Sequence, residues 1–179
     1  MANDMRYYET FYGIHTNHWV ADFGDFSNHH KILVKDYISE GTSCEESSLA
    51  SGTYEFLYAH HIKKIYFIEG VITGSITIVA NEEERDVTSF RVTVCKVDDS
   101  NNRNELFSTG WKTVNDTLVV GNGYEGVYYF EIEAWEKEKL TEHERIYLKV
   151  EVNSDVRTLL MHANDAEWTD VNVTLPLIL

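Results

Sequence analysis

The residues best suited to hold a metal cluster near the start of the sequence. His15 and His18 are followed by Asp22, Asp25, His29 and His30, and later by the adjacent pair His60-His61. Imidazole and carboxylate in reach of one another bind zinc or iron when the ligands converge. This spacing matches no defined coordination pattern. Packing within an aromatic loop accounts for the same histidines without a metal.

The stretch AHHIKKIYFIEGVITGSITI shares some features with the first motif of the cupins. A cupin needs two histidines in alternation on one strand, so that both point into the barrel. Here His60 and His61 are adjacent and point to opposite faces, lysines stand where a glutamate should follow, and only Glu69-Gly70 fits the turn. The ligand spacing therefore disfavours a metal-dependent cupin-like enzyme. A calcium loop is a third chemistry. Asp98, Ser100 and Asn102 alternate, with Asn104 and Glu105 after them, and alternating oxygen ligands can wrap that ion. The loop lacks the mid-loop glycine and distal glutamate of an EF-hand, and a polar hairpin turn is the plainer account of it. No cofactor is expected beyond such a calcium.

Covalent chemistry has little to stand on. There is no G-x-S-x-G and no glycine loop to cradle phosphate. Of the two cysteines, Cys95 faces away from Phe90, Val92 and Val94 on its strand, and the sequence gives it no activating neighbour. Cys44 and Cys95 are expected as free thiols. No catalytic residue is expected. Asn115-Asp-Thr117 and Asn172-Val-Thr174 match the glycosylation triplet as chance matches.

Aromatic rings remain. Trp111, Trp135 and Trp168 fall at strand ends or loops, and Tyr129 lies near Trp135 on the same face. Flat rings flanked by carboxylates stack on sugars, so these four are candidates for a glycan platform. A packed second layer or a subunit interface is the alternative use. Tyr7, Tyr8, Phe11, Tyr12, Trp19, Phe23 and Phe26 crowd residues 1–30. So many rings are not left in water, so this segment is expected to pack on the body or on a neighbouring subunit, as an assembly arm.

The elements that must position these groups are strands. Val171, Val173, Leu175, Leu177 and Leu179 alternate with mostly polar residues, as do Ile146, Leu148, Val150 and Val152. Period two with one apolar face marks a half-buried antiparallel strand. Tyr128, Phe130, Ile132 and Ala134 predict the core face of a strand over 124–135, followed by a charged loop over 136–144. A strand over 6–12, one over 31–38, one over 54–61 and one over 64–80 are expected, the last bent or bulged at Gly70 and Gly74. A strand over 87–97, short strands over 106–111, 116–120 and 157–162, one over 145–152 and a final one complete the pattern. Gly121-Asn122-Gly123 predicts a tight hairpin. Pro176 inside the last strand predicts a sheet edge or a bulge. About nine to ten strands without a long helix give an all-β, two-sheet antiparallel sandwich of jelly-roll type. The expected organisation is an N-terminal extension, residues 1–30, and one domain, residues 31–179.

The totals set limits on partners. A net charge of -15 over 179 residues argues against nucleic acid and against an anionic membrane surface. No apolar stretch approaches the roughly 20 residues that span a bilayer. The polar, aromatic start has no hydrophobic signal core, so synthesis in the cytoplasm without a cleaved signal is expected.

Over about residues 64–179 the chain resembles small jelly-roll virion proteins of tailed phages and archaeal viruses. FRVTVCKV, ELFSTGWKTVNDTLVV, YYFEIEAWEKEKL, RIYLKVEV and the closing LLMHANDAEWTDVNVTLPLIL carry the resemblance. It implies a non-enzymatic structural protein of the virion: a capsid decoration, head fibre or tail component. It also implies a homo-oligomer, often a trimer, attached to capsid or tail proteins. A carbohydrate-binding sandwich is the second reading, compatible with the first where a virion surface meets host glycans.

Overall fold

The computed structural model describes residues 6–20, 29–35, 52–58, 60–80, 85–118, 125–154, 158–160 and 171–179. Among them are eleven strands and no helix: β1 (Arg6–Val20), β2 (His29–Val34), β3 (Gly52–Tyr58), β4 (Tyr66–Ala80), β5 (Arg85–Asp98), β6 (Arg103–Ser108), β7 (Lys112–Leu118), β8 (Glu125–Leu140), β9 (Glu144–Ser154), β10 (Thr158–Leu160) and β11 (Val171–Ile178). One layer runs β2-β1-β11-β4-β8, with β10 beside the end of β4. The other runs β3-β9-β5, with β6 and β7 sharing the far edge of β5. All these ladders are antiparallel. A short parallel contact, Ile32↔Leu57 and Leu33↔Tyr58, joins the layers through β2 and β3. Without the short β2, β6 and β10, the layers read β1-β11-β4-β8 and β3-β9-β5-β7. First strand beside last, and second beside last but one, is the order of a jelly-roll sandwich.

The core lies between the layers. Ile68, Ile72, Ile76 and Ile78 of β4, with Phe130, Ile132 and Ala134 of β8, face Phe90, Val92 and Val94 of β5 and Leu148, Val150 and Val152 of β9. The Phe90 ring meets Tyr128 at 5.9 Å and Phe130 at 6.5 Å across the gap. β-branched and aromatic residues at every second position suit a pleated surface buried on one side, and each such side chain contributes about 1.5–3 kcal/mol by leaving water. The expected inward faces of β5, β8, β9 and β11 are the observed ones; Leu179 is exposed at the end.

Two differences from expectation have clear causes. β8 continues through the stretch expected as a loop, and the turn is only Thr141–His143. Charged residues fill most of that stretch, but Glu138 still pairs with Ile68 and Leu140 with Tyr66, and Leu140 is fully buried. Residues 6–20 are also one long strand, where a short one over 6–12 is expected. They form β1, paired with β11 from Arg6↔Ile178 to Gly13↔Val171, and Phe11 lies in the core at 2 % exposure. Aromatics on both faces blur period two along this stretch, so only its first half reads as a strand.

Pro176 sits at a break in register between β11 and β4, with strands on both sides of it, so the bulge expected there is what accommodates it. Opposite lies Gly70, at φ +134° and at a second break, between β4 and β8. A Cβ on Gly70 would stand 3.3 Å from the proline ring, so the two irregularities accommodate one another. The Gly121–Gly123 turn lies outside the described residues.

Candidate functional site

The two outward faces of the sandwich differ in kind. On the β3-β9-β5 layer, charges are matched. Arg91 donates to both carboxylate oxygens of Glu151 at 2.6 and 2.8 Å, Arg103 pairs with Glu55 at 3.2 Å, and Lys149 pairs with Glu105. Hydrogen bonding to Arg91 holds the Glu151 carboxyl below its ordinary range. Beneath lie Leu57, Cys95, Val97 and Tyr147, all buried. Trp111 belongs to this side: the Arg91 guanidinium stands 4.9 Å from its ring centroid, a cation–π contact.

The outward face of the other layer is bare. Tyr129 is 82 % exposed, Tyr8 65 % and Trp135 60 %. Tyr129, Glu131, Glu133 and Trp135 alternate along β8, so all four point out. Among the described residues, neither Glu131 nor Glu133 forms an ion pair. Beside them, small polar groups tie the strands together: Thr10 to Thr174 at 2.9 Å, and the Asn172 amide donating to Ser75 at 2.6 Å. Thr73, Lys112, Tyr129, Glu131 and Glu133 line an open groove of about 700 Å³.

Of the four candidate platform residues, Tyr129 and Trp135 share a face, about 20 Å apart at roughly 3.3 Å per residue. Trp111 lies under Arg91 on the other layer, and Trp168 is outside the described residues. Lys112, which reaches the groove from β7, was not picked out from sequence, since nothing local marks it.

The Asp98–Ser100–Asn102 segment is a hairpin turn. One oxygen of Asp98 accepts from the backbone N–H groups of Ser100 and Asn102, both at 2.9 Å, and the other accepts from the Asn102 side-chain amide at 2.8 Å. These donors hold the Asp98 carboxyl below its ordinary range. Asn101 takes φ 63°, as a turn residue before a bulge often does. Both carboxylate oxygens face N–H donors, which is the geometry of a capped turn. Next to it, Asp99 accepts from His61 at 2.6 Å and lies 3.5 Å from His143 and 3.7 Å from Arg145. Among the described residues, no group of three or more His, Cys, Asp or Glu is placed to hold a metal ion. His15, His18, His29 and His30 lie on β1 and β2; their side chains are outside the described ones.

Of the seven candidate arm residues, Tyr7 and Phe11 face inward, where Phe11 packs edge-on against Tyr58 at 5.2 Å and Tyr7 against Tyr66 at 5.9 Å. Tyr8 points outward. Tyr12 is half-buried, Trp19 lies on β1, and Phe23 and Phe26 are outside the described residues.

No family model matches the sequence, and no curated protein matches it. Solved structures do. A CocE/NonD family hydrolase from Staphylococcus aureus superposes with a TM-score of 0.51 at 11 % identity, covering 98 % of this chain and 37 % of that one. A second crystal structure of that hydrolase gives 0.50 at 12 % identity, with 97 % and 37 % covered. An aminopeptidase from a marine sediment Thaumarchaeota archaeon gives 0.47 at 9 %, with 96 % and 34 % covered. The likeness is one of fold alone. The chain spans little more than a third of the length of these proteins.

Proposed function

We propose that this chain is a non-enzymatic β-sandwich that works by self-association and attachment, as a structural component of a virus particle. The virion setting rests on the sequence resemblance. The assembly role rests on the contrast between a charge-matched face and a bare one. β8 also supplies a reason for the partner to be a second copy. On its outward alternation, Glu131 and Glu133 occupy one half, and Lys137 and Lys139 the other, with Trp135 between them. A two-fold contact that runs β8 antiparallel to its copy sets each acidic half against a basic half and brings the tryptophans together. Glu136 and Glu138 fall on the other alternation. Lys137 is lightly engaged at home, 4.0 Å from Glu69 and over the Phe67 ring at 4.6 Å.

Light scattering after size exclusion tests this. The full chain is expected as an even-numbered oligomer. Replacing Lys137 and Lys139 by Glu should shift it to smaller species, and adding Glu131→Lys and Glu133→Lys should restore it. A monomer at every concentration overturns the assembly role. A trimer, as the resemblance implies, would keep assembly and overturn the β8 contact.

The exposed Tyr129 ring beside Glu131, Thr73 and Lys112 supports the second reading, a sugar platform. A glycan array that stays blank, with Tyr129→Ala changing nothing but association, removes it.

A further inference from the structure

A second recess opens between the layers rather than on the outward face. It has a volume of about 320 Å³, at the small end of ligand pockets. Its floor is apolar: Phe11, Ile146 and Leu177 are all buried. Its walls are aromatic, the Tyr7–Tyr66 pair on one side and Tyr58 on the other. Burial, and then the Tyr66 hydroxyl beside it, push the Tyr7 phenol well above its ordinary value, so Tyr7 stays a neutral donor.

The mouth gathers lysines and histidines that are scarce elsewhere on so acidic a protein. The chain carries a net charge of -15, yet Lys35, Lys63, His60 and His61 gather at this opening. Lys35 stands 5.7 Å from the ring centroids of both Phe11 and Tyr58, and shares its charge with Glu9 at 3.4 Å. Lys63 is exposed and, among the described residues, forms no ion pair. The rim is held in place: the Ile62 N–H donates to the Glu144 carbonyl at 2.9 Å, and His61 is tied to Asp99. A fixed rim lowers the ordering cost of binding.

We propose that this cleft binds a small organic anion with a flat apolar body, of the aromatic carboxylate class. The ring would lie on the apolar floor between the tyrosines, and the carboxylate would meet Lys63 and Lys35 at the mouth, where a charged hydrogen bond is stronger than a neutral one. The constellation was not legible in sequence, because β1, β3, β4, β9, β11 and two connecting segments each contribute to it.

The test is titration of the full-length protein with benzoate, followed by the methyl resonances of Ile62, Ile146 and Leu177. Benzamide and benzylammonium serve as neutral and cationic counterparts. Benzoate is expected to move these signals, and Lys63→Glu with Lys35→Gln to weaken binding about tenfold or more, the size of one charged hydrogen bond. Lys63 is exposed, so an unchanged melting temperature of Lys63→Glu alone guards against loss of fold. Signals unmoved by millimolar benzoate, or benzamide binding as tightly, overturn the proposal.

Discussion

Cys95 lies on β5 among Leu57, Val97 and Tyr147, and burial pushes its thiol up to about 12. The thiolate is the reactive form, so native Cys95 should resist iodoacetamide at mildly alkaline pH and react once the chain unfolds. A Cys44→Ala variant isolates its signal for mass spectrometry, and rapid native labelling would refute the assignment. Carboxylates set the acid limit. Glu151, held low first by Arg91, Asp99, held low first by His61, and Asp98, held low first by Asn102, all ionise below their ordinary values. A carboxyl depressed in the folded state stabilises above its unfolded value and loses that contribution as pH falls through the folded one. Thermal melts should therefore worsen below about pH 4, where free carboxyls protonate, and less steeply in an Arg91→Gln variant. An equal slope in both would show that the Arg91–Glu151 pair contributes nothing.

At the scale of elements, close approach decides what glycine does. A Cβ on Gly74 of β4 would collide with the Asn172 carbonyl oxygen of β11 and with the Phe130 ring of β8. Backbone on one side and a core ring on the other leave no room to shift. Gly74→Ala should cost about 3 kcal/mol, the upper end for overpacking, read as a melting temperature lower by roughly 10 °C. A near-neutral result would mean that β4 and β11 slide apart easily. Glycine here marks contact rather than the expected bulge, whereas Gly70 marks both. Sequence conveyed the period-two strands well, since Ile146, Leu148, Val150 and Val152 left one face unmistakable. It blurred where both faces carry rings, as in β1, of which only residues 6–12 read as a strand, and failed where charge hides the alternation, as in the last residues of β8. The sites were less legible than the strands. Tyr129 and Trp135 were visible as members of one face, but the cleft with lysines at its mouth is assembled from distant segments.

At the scale of the molecule, β1 belongs to the sandwich and covers one edge of β11. Deleting residues 1–20 removes Phe11 from the core and exposes that edge, so the truncated chain should lose cooperative melting and dispersed amide resonances. A truncated chain that melts nearly as well as the whole would restore the view of this segment as a detachable arm. The likeness to part of a larger hydrolase is one of fold alone, so function must be sought on surfaces and clefts.

The pairing of Arg6 with Ile178 also has a meaning in time. β11 slots between β1 and β4, both of which precede it in the chain. The ribosome must therefore deliver β11 before the first layer can close. Until then Phe11 and the isoleucines of β4 lack the strand that fills the gap between them, and apolar surface left open in that way is prone to associate with its neighbours.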